Sequence, residues 1–269
     1  MRQSHLAVLL IVLFLGRPSL NAQTAGASAP DLFTKGMNAL EGSSATRSAA
    51  NAIEYFRQSA ALGYAPAQTV LGYVYETGQG TTPDPREAFE FYKKAAQQDD
   101  PLAEWLVARM IFSGEVPPRD LNESARWLEK SSAQGNTFAD YLLGKIALER
   151  GNYSRAGNFL SKSAQQGLPQ AQWQLAVLLR GGQGVPQDEF EAYVWMLVSS
   201  DQGFRPNDPQ LQSLETELSA AQLEQAKTKA RELEGSATRS VTARGCTGWP
   251  GEFDEIPAPP PPDIQRFCR

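Results

Sequence analysis

Histidine, cysteine, nucleophilic serine and paired carboxylates carry most enzymatic chemistry, and this 269-residue chain places them poorly for it. Its single histidine, His5, lies in an apolar N-terminal stretch. Arg2 precedes an apolar run from Leu6 to Leu15, Gly16-Arg17-Pro18 breaks the run, and Leu20-Asn21-Ala22 offers a small-residue cleavage site before Gln23. A spanning helix needs roughly 20 apolar residues. Residues 1–22 therefore read as an export signal that is removed, leaving a periplasmic or secreted protein with no stable membrane insertion. Such a mature chain has no histidine, which removes Ser-His-Asp triads, Cys-His pairs and His-ligated metals together. The sequence also lacks G-x-S-x-G, S-x-x-K and G-x-x-x-x-G-K-[ST]. No catalytic residue, cofactor or metal site is expected. Thirty acids could supply a general acid and base, but no pair of them stands out by spacing.

Cys246 and Cys268 are the two cysteines, both near the C-terminus. An even count in an exported chain favours a disulfide between them. On the chain-entropy model its loop of about 23 residues would contribute roughly 3 kcal/mol to ordering that tail. A metal or redox pair would call for C-x-x-C spacing or a histidine, and neither is present.

The formal charge is −5, and loss of Arg2 and Arg17 with the signal makes it more negative. Nucleic acid binding wants a basic stripe. Here Lys and Arg are interleaved with acids, so no nucleic-acid partner is expected.

The elements that would position any site come from an internal repeat. Ser59-Ala60-Ala61-Leu62-Gly63, Ala95-Ala96-Gln97-Gln98-Asp99, Ser132-Ala133-Gln134-Gly135, Ala164-Gln165-Gln166-Gly167 and Ser199-Ser200-Asp201-Gln202-Gly203 recur at spacings of 36, 36, 32 and 36 residues. Within one unit, Ala67, Leu71 and Tyr75 share a helical face, Gly78-Gln79-Gly80 stops the helix, and Asp84-Pro85 with Glu87 starts a second one. Ala88, Phe91, Tyr92, Ala95 and Ala96 form the apolar face of that second helix. Gly72 and Gly144, with Ala108 and Ala176 at the same register, imply close approach of neighbouring helices, as do Ala67, Ala103, Ala139 and Ala171 and, in the second helices, Ala88, Ala125, Ala156 and Ala192. A period in this range is the mark of a stacked helical solenoid.

The unit resembles the Sel-1-like repeat, a relative of the tetratricopeptide repeat, whose pattern is roughly A-x-x-x-L-G-x-x-Y-x-x-G-x-G-V-x-x-D-x-x-x-A-x-x-W-x-x-x-A-A-x-x-G. One unit carries Ala67, Leu71, Gly72, Tyr75, Gly78, Gly80, Asp84, Ala88, Ala95 and Ala96; the last carries Ala171, Leu175, Gly184, Val185, Asp188, Ala192 and Trp195. The two between are degraded, the later one having lost about four loop residues around Gly151-Asn152. The resemblance implies an all-α, right-handed α/α solenoid of helix hairpins. It covers residues 35–205 as about four and a half units, after a linker at 23–34, with Leu32–Leu40 and Ala49–Leu62 as an incomplete first unit. Leu211–Glu234 reads as one long capping helix with an internal capping box at Ser219-Ala220-Ala221-Gln222, within a capping segment at 209–234. Residues 235–269 form a proline-rich tail, in which Pro257-Ala258-Pro259-Pro260-Pro261-Pro262 favours polyproline II.

In tetratricopeptide-like solenoids the first helix of each unit lines the concave face. The resemblance therefore implies a ladder there, with Trp105, Tyr141 and Trp173 in one column and Arg109 and Lys145 one turn on, facing a protein or peptide partner. The aromatic column has a competing reading as core between helices, whereas Arg109 and Lys145 are expected to be exposed. Family membership implies a non-catalytic interaction scaffold or adaptor. A glycan- or peptidoglycan-binding envelope protein is the alternative. A β-lactamase-like hydrolase, as in the cysteine-rich exported branch of the family, is a weaker one, because that branch staples each repeat with its own cysteine pair and no repeat here contains cysteine.

Overall fold

The computed structural model describes residues 26–41, 49–204 and 209–237. The export segment, the Cys246–Cys268 pair and most of the proline-rich tail lie outside them. The described residues form twelve helices and no strand: α1 Ala29–Glu41, α2 Ala49–Ala61, α3 Ala65–Thr77, α4 Pro85–Ala96, α5 Pro101–Ser113, α6 Leu121–Ala133, α7 Thr137–Glu149, α8 Tyr153–Gln165, α9 Pro169–Gly181, α10 Glu189–Asp201, α11 Gln210–Glu217 and α12 Ala220–Ala237. Helices α1 to α10 pair into five hairpins, and each hairpin packs on the next. This is the expected all-α solenoid, with the first hairpin complete.

The recurring phrase has a backbone cause. Each second helix ends in a turn whose last residue is left-handed, Gly63, Gly135, Gly167 and Gly203 with φ of 86–92° and Asp99 with φ of 59°. Aspartate is among the few residues other than glycine that tolerate this region. Starts are fixed as consistently. Asp84, Asp120, Asn152 and Asp188 cap α4, α6, α8 and α10 by accepting hydrogen bonds from first-turn amides. Those of Glu123 and Asn122 hold the Asp120 carboxyl below its ordinary value.

Helix α1 begins at Ala29, inside the stretch expected to be linker, because Ser28 and Asp31 bond reciprocally as a capping box. The expected single C-terminal helix is two. Leu218 is extended, and Ser219 and Gln222 cap each other to start α12 afresh. Leu214, Ala226 and Ala230 still close the end of the stack against Ala192, Tyr193 and Met196.

The small residues of the first helices set the spacing. Gly36, Gly72 and Gly144 lie opposite the fully buried Phe56, Tyr92 and Leu160, and at the same register Ala108 and Ala176 share core clusters with the fully buried Leu128 and Met196. A Cβ on Gly36 would lie 2.5 Å from the Phe56 ring and one on Gly72 2.5 Å from the Tyr92 ring. Both aromatics thus face glycine, Gly144 faces Leu160, and where the first helix carries alanine the register of the second holds Leu or Met. The expected alanine register of the second helices needs one change: the place of Ala88 is taken by Ser124, not Ala125, and its buried hydroxyl donates to the Ala108 carbonyl at 2.8 Å.

Gly72→Ala sets helix propensity, worth about 1 kcal/mol, against overlap with a ring that cannot retreat, because Tyr92 Oη donates to Glu76 Oε2 at 2.7 Å. Overpacking wins, with an expected loss of about 1–3 kcal/mol by urea denaturation. Adding Tyr92→Leu recreates the Ala108–Leu128 pairing, so in the Gly72→Ala background it will cost less than in the parent. Additive losses would refute the size-matching account.

Candidate interaction surface

The first helices are buried almost all round. From Ala103 to Phe112 every residue of α5 is buried, and α3 and α7 are similar over Ala67–Val74 and Ala139–Gly144. A helix apolar on all sides belongs inside a structure. The second helices α2, α4, α6 and α8 are amphipathic, whereas α10 is buried along most of its length and packs on α12.

This placement decides the expected ladder. Trp105, Tyr141 and Trp173 are 0%, 4% and 3% exposed, so the aromatic column is core. Trp105 packs at 5.7 Å on Phe138, and Trp173 at 6.5 Å on Phe204. The exposure expected of Arg109 is not found: it is 4% exposed. Its Nη2 binds Glu76 Oε1 and its Nη1 binds Glu115 Oε1 at 3.1 Å, while the guanidinium lies 5.9 Å from the Trp105 ring centre. Tyr92 completes the cluster through Glu76. Burial alone would pull the Arg109 guanidinium down, but Glu76 and Glu115 outweigh it and hold it above its ordinary value. Burial pushes the Tyr92 phenol well up, and the Glu76 charge adds to this. A guanidinium held between two carboxylates ties α3, α5 and the loop after α5 together. Of the ladder, Lys145 alone is partly exposed, its Nζ 5.6 Å from the Phe112 ring centre and 6.0 Å from that of Tyr141.

A family model for the Sel1 repeat matches residues 36–64, 65–100, 101–136, 139–168 and 169–204. The chain belongs to the Sel1 repeat family. Among solved structures, a Sel1 repeat protein from Oxalobacter formigenes is similar over 83% of this chain and 88% of that one, at 25% identity and a TM-score of 0.63. A protective antigen of uropathogenic Escherichia coli strains with an SLR fold is 22% identical, with a TM-score of 0.54 over 87% of this chain. This chain covers 59% of that antigen's length, and the likeness is one of fold. No curated protein matches the sequence.

Within this Sel1 array, two columns went unread in the sequence. Ser59, Ser131, Ser163 and Ser199, all 0% exposed, each donate a hydroxyl hydrogen bond to the carbonyl that opens their own hairpin: Ala29, Pro101, Thr137 and Pro169. They clasp the hairpin ends, and Ala95 stands in their place in the second hairpin. The second column is aromatic, and its Phe91, Trp127, Phe159 and Trp195 rings pack against the core with one side partly exposed. Tyr55, Phe91, Trp127, Phe159 and Trp195, spaced 36, 36, 32 and 36 residues apart on the second helices, are each partly exposed. Cations cover three of these rings, with Lys94 at 5.1 Å from Phe91, Lys130 at 5.1 Å from Trp127 and Arg155 at 5.4 Å from Phe159. The signal for both was the repeat period itself, applied to every position rather than to the small residues alone. Among the described residues no cluster could hold a metal, and no helix is long and apolar enough to cross a membrane.

Proposed function

We propose that this Sel1 repeat protein is an exported, non-catalytic scaffold that engages another protein across the outer faces of its second helices. The observation that carries the reading is the ladder Tyr55, Phe91, Trp127, Phe159 and Trp195, which offers one partly exposed ring per hairpin in a fixed row while the first helices are consumed by the core. Aromatic and Arg side chains are the commonest interface anchors. The neighbouring cations keep the rings from forming one continuous apolar patch. The clasping serines are occupied by backbone carbonyls and the Glu76 and Glu115 carboxylates by Arg109, which favours a structural over a catalytic use of these groups.

Photo-crosslinking residues placed at Lys94, Lys130 and Arg155, along this face, are expected to capture a protein from the cell envelope, whereas one at Lys35 is not. Capture from the Gly78–Gly80 and Gly182–Gly184 loops alone would move the face to the hairpin tips. If the protein captures nothing but shows a sugar-dependent change in tryptophan fluorescence, through Trp127 and Trp195, the glycan-binding reading replaces this one. Export predicts a mature N-terminus at Gln23 by terminal sequencing.

A further inference from the structure

A buried polar column runs through the joints of the array. Gln68, Glu104, Asp140 and Gln172 occupy one position in the second to fifth hairpins, and they are 6%, 0%, 0% and 0% exposed. Three of them bond a group eight residues earlier, at the end of the preceding hairpin. Gln68 Nε2 donates to the Ala60 carbonyl and Gln172 Nε2 to the Ala164 carbonyl, both at 3.3 Å. Asp140 cannot donate, and there the preceding hairpin supplies the donor: Ser132 Oγ bonds Asp140 Oδ1 at 2.5 Å, and Lys162 Nζ joins at 3.0 Å. The two glutamine joints are thus closed by matched donors and acceptors, whereas Asp140 is bonded through Oδ1 and its Oδ2 is buried without a hydrogen-bond partner.

Glu104 differs from Asp140 in having no donor eight residues before it. The residue eight before it is Ala96, whose side chain has nothing to donate and whose carbonyl is an acceptor. That carbonyl takes one bond from the Asp99 amide at 3.1 Å, as the Ala60 and Ala164 carbonyls take one from Gly63 and Gly167 at 2.9 Å. At Ala60 and Ala164 the second bond comes from the glutamine amide. On the other side, Glu104 Oε2 accepts from Gln134 Nε2 at 3.0 Å, as Gln68 and Gln172 accept from Gln98 and Gln202. Glu104 Oε1 is buried without a hydrogen-bond partner. Lys130, which holds the place of Lys162, pairs with Asp99 at 3.7 Å instead.

We infer that Glu104 is held as the neutral acid and uses its proton to bond the Ala96 carbonyl, making the joint between the second and third hairpins an acid-stabilised latch. A carboxylate here would set two acceptors against each other in a dry site, whereas a carboxylic acid reproduces the glutamine of the neighbouring joints. The surrounding groups agree. Burial raises the Glu104 carboxyl; from α6, Lys130 and the Gln134 bond oppose this, and from the turn before α5, Asp99 and Asp100 add to it. A carboxyl raised by folding gives stability that is complete below the unfolded value and lost as pH rises through the folded one.

Melting of the full chain and its Glu104→Gln variant across pH tests this. At about pH 8 the variant is expected to melt higher by about 2–4 °C, and the gain should fade as pH drops to about 3, below the unfolded value, where the parent acid is neutral in both states. A variant no more stable than the parent at about pH 8, or a gain of equal size at both pH values, would overturn the inference. An infrared difference spectrum, parent minus variant, at about pH 5.5 should show the carbonyl stretch of a protonated carboxyl. A carboxylate band in its place would also overturn it.

Discussion

Arg109→Ala will destabilise the array by about 3 kcal/mol or more, the cost of breaking a buried ion pair from one side. Arg109 is 4% exposed, while its partners Glu76 and Glu115 keep 18% and 31% of their surface. Glu115 can turn to solvent when the guanidinium is lost. Glu76 is held by the Tyr92 hydroxyl and would be left charged and underpaired between α3 and α5. The loss therefore falls mainly on the second joint, together with the volume of a side chain packed on Trp105. Arg109→Lys should recover little, because one ammonium does not reproduce a planar fork bound to two carboxylates at once. Lys145→Glu, at the same register one hairpin later but partly exposed, should cost less than about 1 kcal/mol. Urea midpoints at constant slope measure all three. Equal midpoints for Arg109→Ala and Lys145→Glu would mean that the cluster contributes no more than a surface charge.

The contrast between these two cations shows where sequence reasoning reached its end. Repeat period, small-residue register and aspartate caps are local, since each follows from what a helix needs at its ends or where another helix approaches, and all were readable residue by residue. The facing of α5 is not local. From Trp105 to Phe112 the helix is apolar all round except for Arg109, and a lone charge in such a run belongs to a buried pair. Analogy with concave-lining helices took precedence over that signal and placed Arg109 in solvent. The serine clasps and the Glu104 joint were hidden for another reason. A small buried serine looks like a spacing residue until its acceptor is known, and that acceptor lies 26 to 30 residues away. The division of Leu211–Glu234 at Leu218 was signalled by the capping box, which starts helices and has no role inside one.

Trp105→Ala will cost about 3–5 kcal/mol, the range for emptying a fully buried aromatic site. Trp105 is 0% exposed and touches Phe138 on α7 as well as the Arg109 guanidinium on its own helix, so its removal opens a cavity where the third and fourth hairpins meet. That site has little means of collapse, because α5 packs on α4 and α6 and also meets α7. The loss should spread along the stack, since each hairpin covers its neighbour's apolar face. Trp105→Phe separates packing from hydrogen bonding. The indole Nε1 has no hydrogen-bond partner, so phenylalanine forfeits no bond and leaves a smaller void. Its expected cost is under about 2 kcal/mol, within the range of modest losses in buried volume. Little loss in either variant would argue that Trp105 is not packed as described. If the phenylalanine variant lost as much as the alanine variant, the indole N–H would be making a bond worth as much as the ring.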